Sequence, residues 1–269
     1  MHRFLTIVLL LTATLNLRVA AASEFDSGWA GIPEAEVRLI AGHVPGHGDM
    51  LGLHFVLSPG WKTYWRSPGD AGLPPEPDWS ASQGLSGAEL AWPLPERFLY
   101  YGLVTYGYHD EIVLPVRLDR ADGETRVRLN LSYAACAEVC VPIEAGLTLD
   151  LPPGPLPENR HSAAIAGALE RTPAQSPPDL GLAGLTFDKG SLAVAFRAPH
   201  PLADPDLIVE GPRDVVFDHP QCENDGALTR CRVDVDTGGT DVDLTASPLR
   251  LTLSGNGYAA EMPVTVGKP

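Results

Sequence analysis

The sequence predicts an all-β protein built from two β-sandwich domains, and three features support this fold class. First, many short segments alternate apolar and polar residues with a period of two, which is typical of antiparallel strands with one buried face. Second, 27 glycines and 26 prolines separate these segments, as expected where short strands are joined by turns. Third, the alternation occurs on both sides of one proline-rich segment, which suggests two domains. The alternating apolar positions include Leu51, Leu53, Phe55, Leu57, Val127, Leu129, Leu131, Leu147, Leu149, Leu151, Leu192, Val194, Phe196, Val233, Val235, Leu249, Leu251 and Leu253.

The proline-rich segment marks the predicted domain boundary. Prolines occur at positions 152, 153, 155, 157, 173, 177 and 178, and residues 158–171 between them have the composition of a short helix. Proline clusters that flank a weakly apolar helix are typical of an interdomain linker. We therefore predict a first sandwich over residues 24–152, a linker over residues 153–179 and a second sandwich over residues 180–269.

The N-terminus has the three-part pattern of a secretory signal peptide over residues 1–22. His2 and Arg3 precede an apolar run over residues 4–15, and three alanines at 20–22 fit a cleavage site before Ser23. An uncleaved anchor is the alternative, but a membrane-spanning helix needs about 20 apolar residues. We therefore expect an exported protein of the periplasm that does not insert into the membrane after the signal is removed.

The charge balance excludes two classes of partner. The chain carries 34 acidic and 19 basic residues, a formal net charge of −15. Nucleic acids and anionic lipid surfaces both require a basic face. We expect neither as a partner, and the acidic surface is consistent with solubility in the cell envelope.

Four cysteines remain after the predicted signal peptide, at positions 136, 140, 222 and 231. An even number of cysteines in an exported protein suggests disulfides, and four cysteines allow three pairings. The sequence distances favour Cys136 with Cys140 and Cys222 with Cys231. Within one regular helix or one regular strand, two cysteines four positions apart are too far from each other to form a disulfide. The first pair therefore requires a tight turn, which we expect between a strand ending near Ser132 and one starting near Gly146.

The spacing alone leaves the role of the first pair open. In the chain-entropy model, a structural disulfide that closes so small a loop stabilises the folded state by roughly 2 kcal/mol, and one that closes residues 222–231 stabilises it by about 2.7 kcal/mol. A bridge at a loop tip is also accessible to an attacking thiolate, which thiol–disulfide exchange requires. No cation is adjacent to Cys136 or Cys140 in the sequence, and Glu138 between them would raise a thiol pKa. The sequence does not favour a zinc site at these cysteines, because it has no second pair of ligands at the spacing of a metal site.

The second cysteine pair has the features of a structural bridge. Cys222 and Cys231 flank Asn224, Asp225 and Gly226, a strong turn signal. Apolar alternation on both sides predicts a hairpin with a disulfide across its strands. Structural disulfides are common in exported domains.

Two histidine clusters are further candidates. His43, His47 and Met50, with His54 nearby, have ligand types that suit copper, although a polar turn before a strand explains the same residues. His109, with the two acidic residues that follow it, has the composition of an acid–base set but directly precedes a predicted strand. The sequence has no nucleophile elbow and no phosphate-binding glycine loop, and we expect no cofactor.

An ordered set of motifs resembles a known family. The set comprises residues 60–66 (GWKTYWR), Tyr101-Gly102, residues 114–116, Tyr133, Cys136, Cys140 and Pro142. Together they are similar to the N-terminal periplasmic domain of the thiol–disulfide interchange protein DsbD, over about residues 34–151. The two-domain layout more closely resembles the soluble alpha region of the copper-tolerance relative ScsB.

This resemblance implies a fold, a site and partners. The family domain is an immunoglobulin-like sandwich, in which Cys136 and Cys140 would form the redox-active pair. Tyr100, followed by Tyr101, falls where the family places an aromatic cap over the disulfide, and Trp61 and Tyr64 fall where aromatic residues flank it. The implied partners are a membrane-embedded DsbD-type electron donor and periplasmic thioredoxin-like proteins, in processes such as copper tolerance and cytochrome c biogenesis.

This sequence departs from the family pattern in three respects, one of which is a spacing between Cys136 and Cys140 that is tighter than in DsbD. Phe98 and Leu99 occupy positions that are acidic in the DsbD branch, so acid–base assistance from there is absent. The chain also lacks a membrane domain and a Cys-x-x-Cys motif, so electrons would arrive from and leave to separate proteins. The alternative function is a non-enzymatic binding module for a partner protein or copper, with two structural disulfides.

Overall fold

The computed structural model describes residues 25–267 apart from 101, 213, 240–243, 245 and 246. The predicted signal peptide lies outside the described residues. None of the described helices is long and apolar enough to cross a membrane.

The first domain contains two antiparallel sheets that enclose one apolar core. Alternate residues are buried along residues 125–133 and along most of Cys140–Leu151, because strand side chains point to opposite faces in turn. The first sheet has the order β1-β2-β3-β9-β6, with strands Ala30–Ile32, Ala35–Val44, Gly48–Leu57, Glu111–Arg120 and Leu85–Leu90. The second has the order β11-β10-β4-β8-β7, with strands Cys140–Leu151, Thr125–Cys136, Lys62–Gly69, Leu103–His109 and Glu96–Tyr100, and with β5 (Glu76–Asp78) pairing β10.

The second domain is also a two-sheet sandwich. Its core is formed by alternating apolar residues such as Leu192, Val194, Leu251 and Leu253. One sheet has the order β12-β20-β19-β15, with strands Ala174–Gln175, Tyr258–Thr265, Pro248–Gly255 and Asp206–Glu210. The other has the order β13-β14-β18-β16, with strands Gly181–Asp188, Ser191–Arg197, Leu228–Asp236 and Val216–Phe217, and with β17 (Gln221–Asp225) pairing β18.

Within the described residues, the linker contains an α-helix, α1, which spans Arg160–Glu170. Asn159 caps its N-terminus by accepting a hydrogen bond from the backbone of His161, and Ser162 completes a capping box. Ile165 and Ala168 pack against Met50 and neighbouring apolar residues of the first sheet. The linker is therefore docked on the first domain. The prediction of an all-β fold, with two immunoglobulin-like sandwiches joined by a proline-rich linker with a short helix, is confirmed, whereas the exact domain bounds stay predictions.

A charged contact joins the second domain to the sheet that carries Cys136. The Arg66 guanidinium donates to both carboxylate oxygens of Glu210, at 2.9 and 2.6 Å, and also to Glu261. Arg97 pairs with Asp206 at 2.9 Å. Because Arg66 lies on β4 and Arg97 on β7, the second domain is attached to two strands of this sheet.

Candidate functional site

The first cysteine pair forms a disulfide across the end of the β10–β11 hairpin. Cys136 is the last residue of β10, Cys140 is the first residue of β11, and the two are direct register partners with Cα atoms 4.1 Å apart. The expectation that the strands end near Ser132 and Gly146 was wrong, because both strands continue to the cysteines. The tight turn is reduced to residues 137–139, and the two opposed strands bring the sulfurs together.

The two sulfurs differ in their access to solvent. Cys136 is only 2% exposed and packs with Tyr64 and Ala134, whereas Cys140 is exposed. The hairpin loop beside Cys140 is open as well, and Val139 is 73% exposed. An approaching thiolate therefore has direct access to Cys140.

Among the described side chains, Tyr64 is an aromatic residue that contacts the disulfide. Its hydroxyl donates to Cys136 Sγ at 2.8 Å and lies 3.3 Å from Cys140 Sγ. Burial raises the pKa of Tyr64, so the neutral O–H persists and remains a hydrogen-bond donor. The backbone of Gly72, at a φ of +117°, lies against the Tyr64 ring where a Cβ would overlap with ring carbons. Only glycine fits this approach, which holds the ring in place.

Two further aromatic residues of the motif set, Trp61 and Tyr133, do not share this position. Trp61 is partly buried and packs against the first-domain core. Tyr133 lies in the same core, where its hydroxyl donates to the Ala35 carbonyl oxygen at 2.6 Å. The side chain of Tyr100 and all of Tyr101 lie outside the described residues, so their cap role stays a prediction.

A lysine that the sequence analysis did not single out lies on the strand next to Cys136. Lys62 on β4 is the direct register partner of Cys136 and, on its other side, of His109. Its ammonium donates to Thr105 Oγ1 at 3.1 Å and lies 4.8 Å from the centre of the Phe98 ring. Both contacts lie on the far side of β4 from Cys136, so the expectation that no cation is adjacent to this cysteine stays a prediction. Period-two spacing from Tyr64 is a sequence signal that places Lys62 on the same face.

His109 belongs to an exposed ion-pair cluster on this sheet. Its ring nitrogens lie 2.9 Å from Glu96 and 2.7 Å from Asp110. Desolvation lowers the pKa of His109, but the hydrogen bond to Asp110 and the charge of Glu96 outweigh it and raise the pKa overall. Glu111 is not part of this cluster, since it pairs with His54 at 2.6 Å.

The copper candidates are not brought together. Met50 is buried in the apolar cluster beneath α1, while His43 pairs with Asp49 at 3.1 Å and His47 is exposed. Within the described parts of the chain, no group of three or more histidine, cysteine, aspartate or glutamate side chains is arranged to hold a metal ion.

The second cysteine pair lies inside the second domain. Cys222 and Cys231 are register partners on β17 and β18, separated by a short turn that contains Gly226 at a φ of +63°. Cys231 is buried in the second-domain core, and Cys222 packs against it. No described tyrosine hydroxyl donates to this disulfide, in contrast to Tyr64 at the first.

Comparisons with known proteins match the two domains separately. Residues 32–152 match the family described as "Thiol:disulfide interchange protein DsbD, N-terminal". Residues 171–269 match a family described as a domain of unknown function (DUF8393). No protein with a curated description matches the chain.

A solved structure matches both domains together. It is the crystal structure of the N-terminal periplasmic domain of ScsB from Proteus mirabilis, with 28% sequence identity and a TM-score of 0.76. The match covers 92% of this chain and 100% of that chain. The resemblance to the DsbD N-terminal domain, with a layout like that of ScsB, is therefore confirmed.

Proposed function

We propose that this chain, whose first domain matches the DsbD N-terminal family and whose layout matches ScsB, is a periplasmic thiol–disulfide exchange protein. It relays electrons from a membrane-embedded DsbD-type donor to thioredoxin-like clients through Cys136 and Cys140. The observation that carries the proposal is the asymmetric disulfide at the hairpin end. One sulfur is open to attack, and the other is buried against a hydroxyl donor.

The exposure difference supports Cys140 as the sulfur that is attacked first. A donor thiolate attacks Cys140 Sγ and forms a mixed disulfide, the Cys136–Cys140 bond breaks, and its electron pair stays on Cys136 Sγ as a thiolate. The second thiolate of the donor then attacks the donor's own sulfur and releases Cys140. The donor is left as a disulfide, and this protein is left as a dithiol that has gained two electrons.

The reduced pair repeats the chemistry on an oxidised client in the reverse order. The Cys140 thiolate attacks the client disulfide, and Cys136 then attacks Cys140 Sγ, which re-forms the bridge and releases the reduced client. The Tyr64 hydroxyl stabilises the Cys136 thiolate, because a hydrogen bond to the charged form favours it. We also propose Tyr100 as the cap over the bridge and Cys222–Cys231 as a structural disulfide.

Single-cysteine variants test this assignment. Cys136→Ser removes the resolving thiol, so its Cys140 adduct with a client has no fast intramolecular exit and should accumulate. Cys140→Ser is the matched control, because its remaining thiol is buried and should form little adduct. Non-reducing electrophoresis of periplasmic extracts, with mass spectrometry of the shifted bands, detects the adducts. If neither variant gives a thiol-sensitive adduct, the exchange function is wrong and a binding module takes its place.

A further inference from the structure

The second domain contacts the β7–β8 hairpin at Arg97. The side chain of Arg97 is only 17% exposed and pairs with Asp206 of the second domain at 2.9 Å. The same guanidinium donates to the Leu207 carbonyl oxygen at 3.4 Å and contacts Nδ1 of His219. Because this contact is largely withdrawn from water, it is screened less than an ion pair on the open surface. The hairpin is therefore joined to the second domain by more than one polar contact.

Tyr106 connects Arg97 to the residues at the end of β4. Arg97 and Tyr106 are register partners, and the guanidinium lies 5.3 Å from the centre of the Tyr106 ring and donates to its hydroxyl at 3.3 Å. The backbone of Gly69, the last residue of β4, lies so close to β8 that a Cβ there would overlap the Val104 carbonyl oxygen and touch the Tyr106 ring. The end of β4 is therefore packed on the hairpin beside the ring that Arg97 contacts.

Two hydrogen bonds hold the segment 69–72 on the hairpin. The Asp70 N–H donates to the Val104 carbonyl oxygen at 2.9 Å, and the Val104 N–H donates to the Asp70 carboxylate at 2.7 Å. The segment ends at Gly72, whose backbone lies against the Tyr64 ring. The position of this ring therefore depends on a segment that the hairpin holds.

We propose that the second domain positions the Tyr64 hydroxyl at Cys136 Sγ, and that Arg97 is the positioning residue through which it acts. This inference rests on the proposed function and deepens it, because it gives the second domain a role in stabilising the Cys136 thiolate. A series of direct contacts joins the two sites, and each member of the series packs against or bonds to the next. Loss of the first contact loosens the hairpin, and the hydroxyl then lies on the sulfur for a smaller fraction of the time.

The second domain should remain attached when the Arg97 contact is removed. Arg66 on β4 binds Glu210 and Glu261 of the second domain with a side chain that is as buried as that of Arg97. Replacement of Arg97 should therefore loosen the hairpin locally without separating the domains.

A partner-free titration tests the proposal. In a Cys140→Ser background with the second disulfide intact, Cys136 is the one titrating thiol, and ultraviolet absorbance reports its thiolate as pH is varied. Arg97→Met should raise the pKa of Cys136 by about half a unit, which is about a threefold loss of thiolate at a fixed pH below that pKa. Arg97→Lys should keep the pKa nearer to that of the parent, because it keeps the charge that pairs with Asp206.

A double variant separates positioning from a direct effect of charge. In Tyr64→Phe the hydroxyl is absent, so adding Arg97→Met should produce no further rise in the pKa of Cys136. Arg126→Met is the matched control, because it removes another arginine from the same sheet, where it pairs with Asp150. This control should leave the pKa of Cys136 unchanged.

The outcomes that contradict the proposal are distinct. Asp206→Ala removes the contact from the side of the second domain and is used if Arg97→Met does not fold. The proposal is overturned if the folded variant titrates like the parent, if its shift persists in full in the Tyr64→Phe background, or if Arg126→Met produces an equal shift. A failure of the proposed function is distinguishable, because it would abolish client adducts without altering this titration.

Discussion

Removing the Tyr64 hydroxyl should weaken the stabilisation of the Cys136 thiolate without disturbing the fold. Tyr64→Phe keeps the ring that packs beneath Gly72 and deletes only the donor 2.8 Å from Cys136 Sγ. A hydrogen bond to a charged group contributes about 1.5–3 kcal/mol. Tyr64 is only 2% exposed, so solvent cannot easily replace the lost donor. At about 1.4 kcal/mol for each pKa unit, the pKa of Cys136 should rise by about one to two units.

Reduction kinetics measure the consequence for exchange. A thiol with a lower pKa is the better leaving group, so a small dithiol should reduce the Cys136–Cys140 bridge several-fold more slowly in Tyr64→Phe than in the parent protein. The rate is followed at several pH values together with the thiolate titration of Cys136.

Tyr133→Phe is the matched control for this prediction. It deletes a buried hydroxyl of the same domain, but that hydroxyl bonds to the Ala35 carbonyl oxygen in the core. It should lower stability by about 1–3 kcal/mol, because the carbonyl loses its partner, and leave the reduction rate unchanged. An unchanged rate and titration in folded Tyr64→Phe would show that the hydroxyl does not act on the leaving sulfur.

Three further predictions concern the rest of the molecule. Replacing Cys222 and Cys231 together by serine should lower the free energy of unfolding by about 2.7 kcal/mol in a urea titration, with client adducts retained; loss of the adducts in a folded variant would contradict the structural role. Arg66→Met should cost about 3 kcal/mol, because Glu210 and Glu261 lose their guanidinium partner in a largely buried contact; an unchanged urea midpoint would show that the interdomain contact contributes little. Burial, the largest cause, lowers the pKa of His54 and of His161 below the ordinary 6.5. The unfolded chain therefore binds more protons than the folded protein just below pH 6.5, and the free energy of unfolding should fall as pH falls through this value. His54→Gln should reduce the dependence of stability on pH in thermal unfolding, and an unchanged dependence would contradict the assignment.

The fold class could be predicted from the sequence because the core strands have regular alternation. Val127, Leu129 and Leu131 are buried in β10, opposite Leu149 and Leu147 in β11. The extension of these strands to the cysteines could not be predicted, because residues 134–136 are all small and all buried. Alternation disappears there, and only the cross-strand register identifies the pairing.

The contacts around the site depend on residues that are distant in sequence. Tyr64 was predicted to flank the disulfide through the family resemblance, but its bond to Cys136 joins residues 72 positions apart. The Arg66 contact with Glu261 joins residues 195 positions apart, and nothing in either segment alone indicates the partner. The pairing of Lys62 with Cys136 could not be predicted for the same reason, since the register between β4 and β10 is set by the whole sheet.

The redox equilibrium of the Cys136–Cys140 bridge tests the central claim most directly. The purified protein is equilibrated with thiol–disulfide buffers of graded potential, and the free thiols of each pair are alkylated and identified by mass spectrometry. An exchange site should be half-reduced within the range of known exchange proteins, roughly −120 to −270 mV, while Cys222–Cys231 stays oxidised. A Cys136–Cys140 bridge that remains oxidised below about −300 mV, as structural disulfides do, would contradict the account.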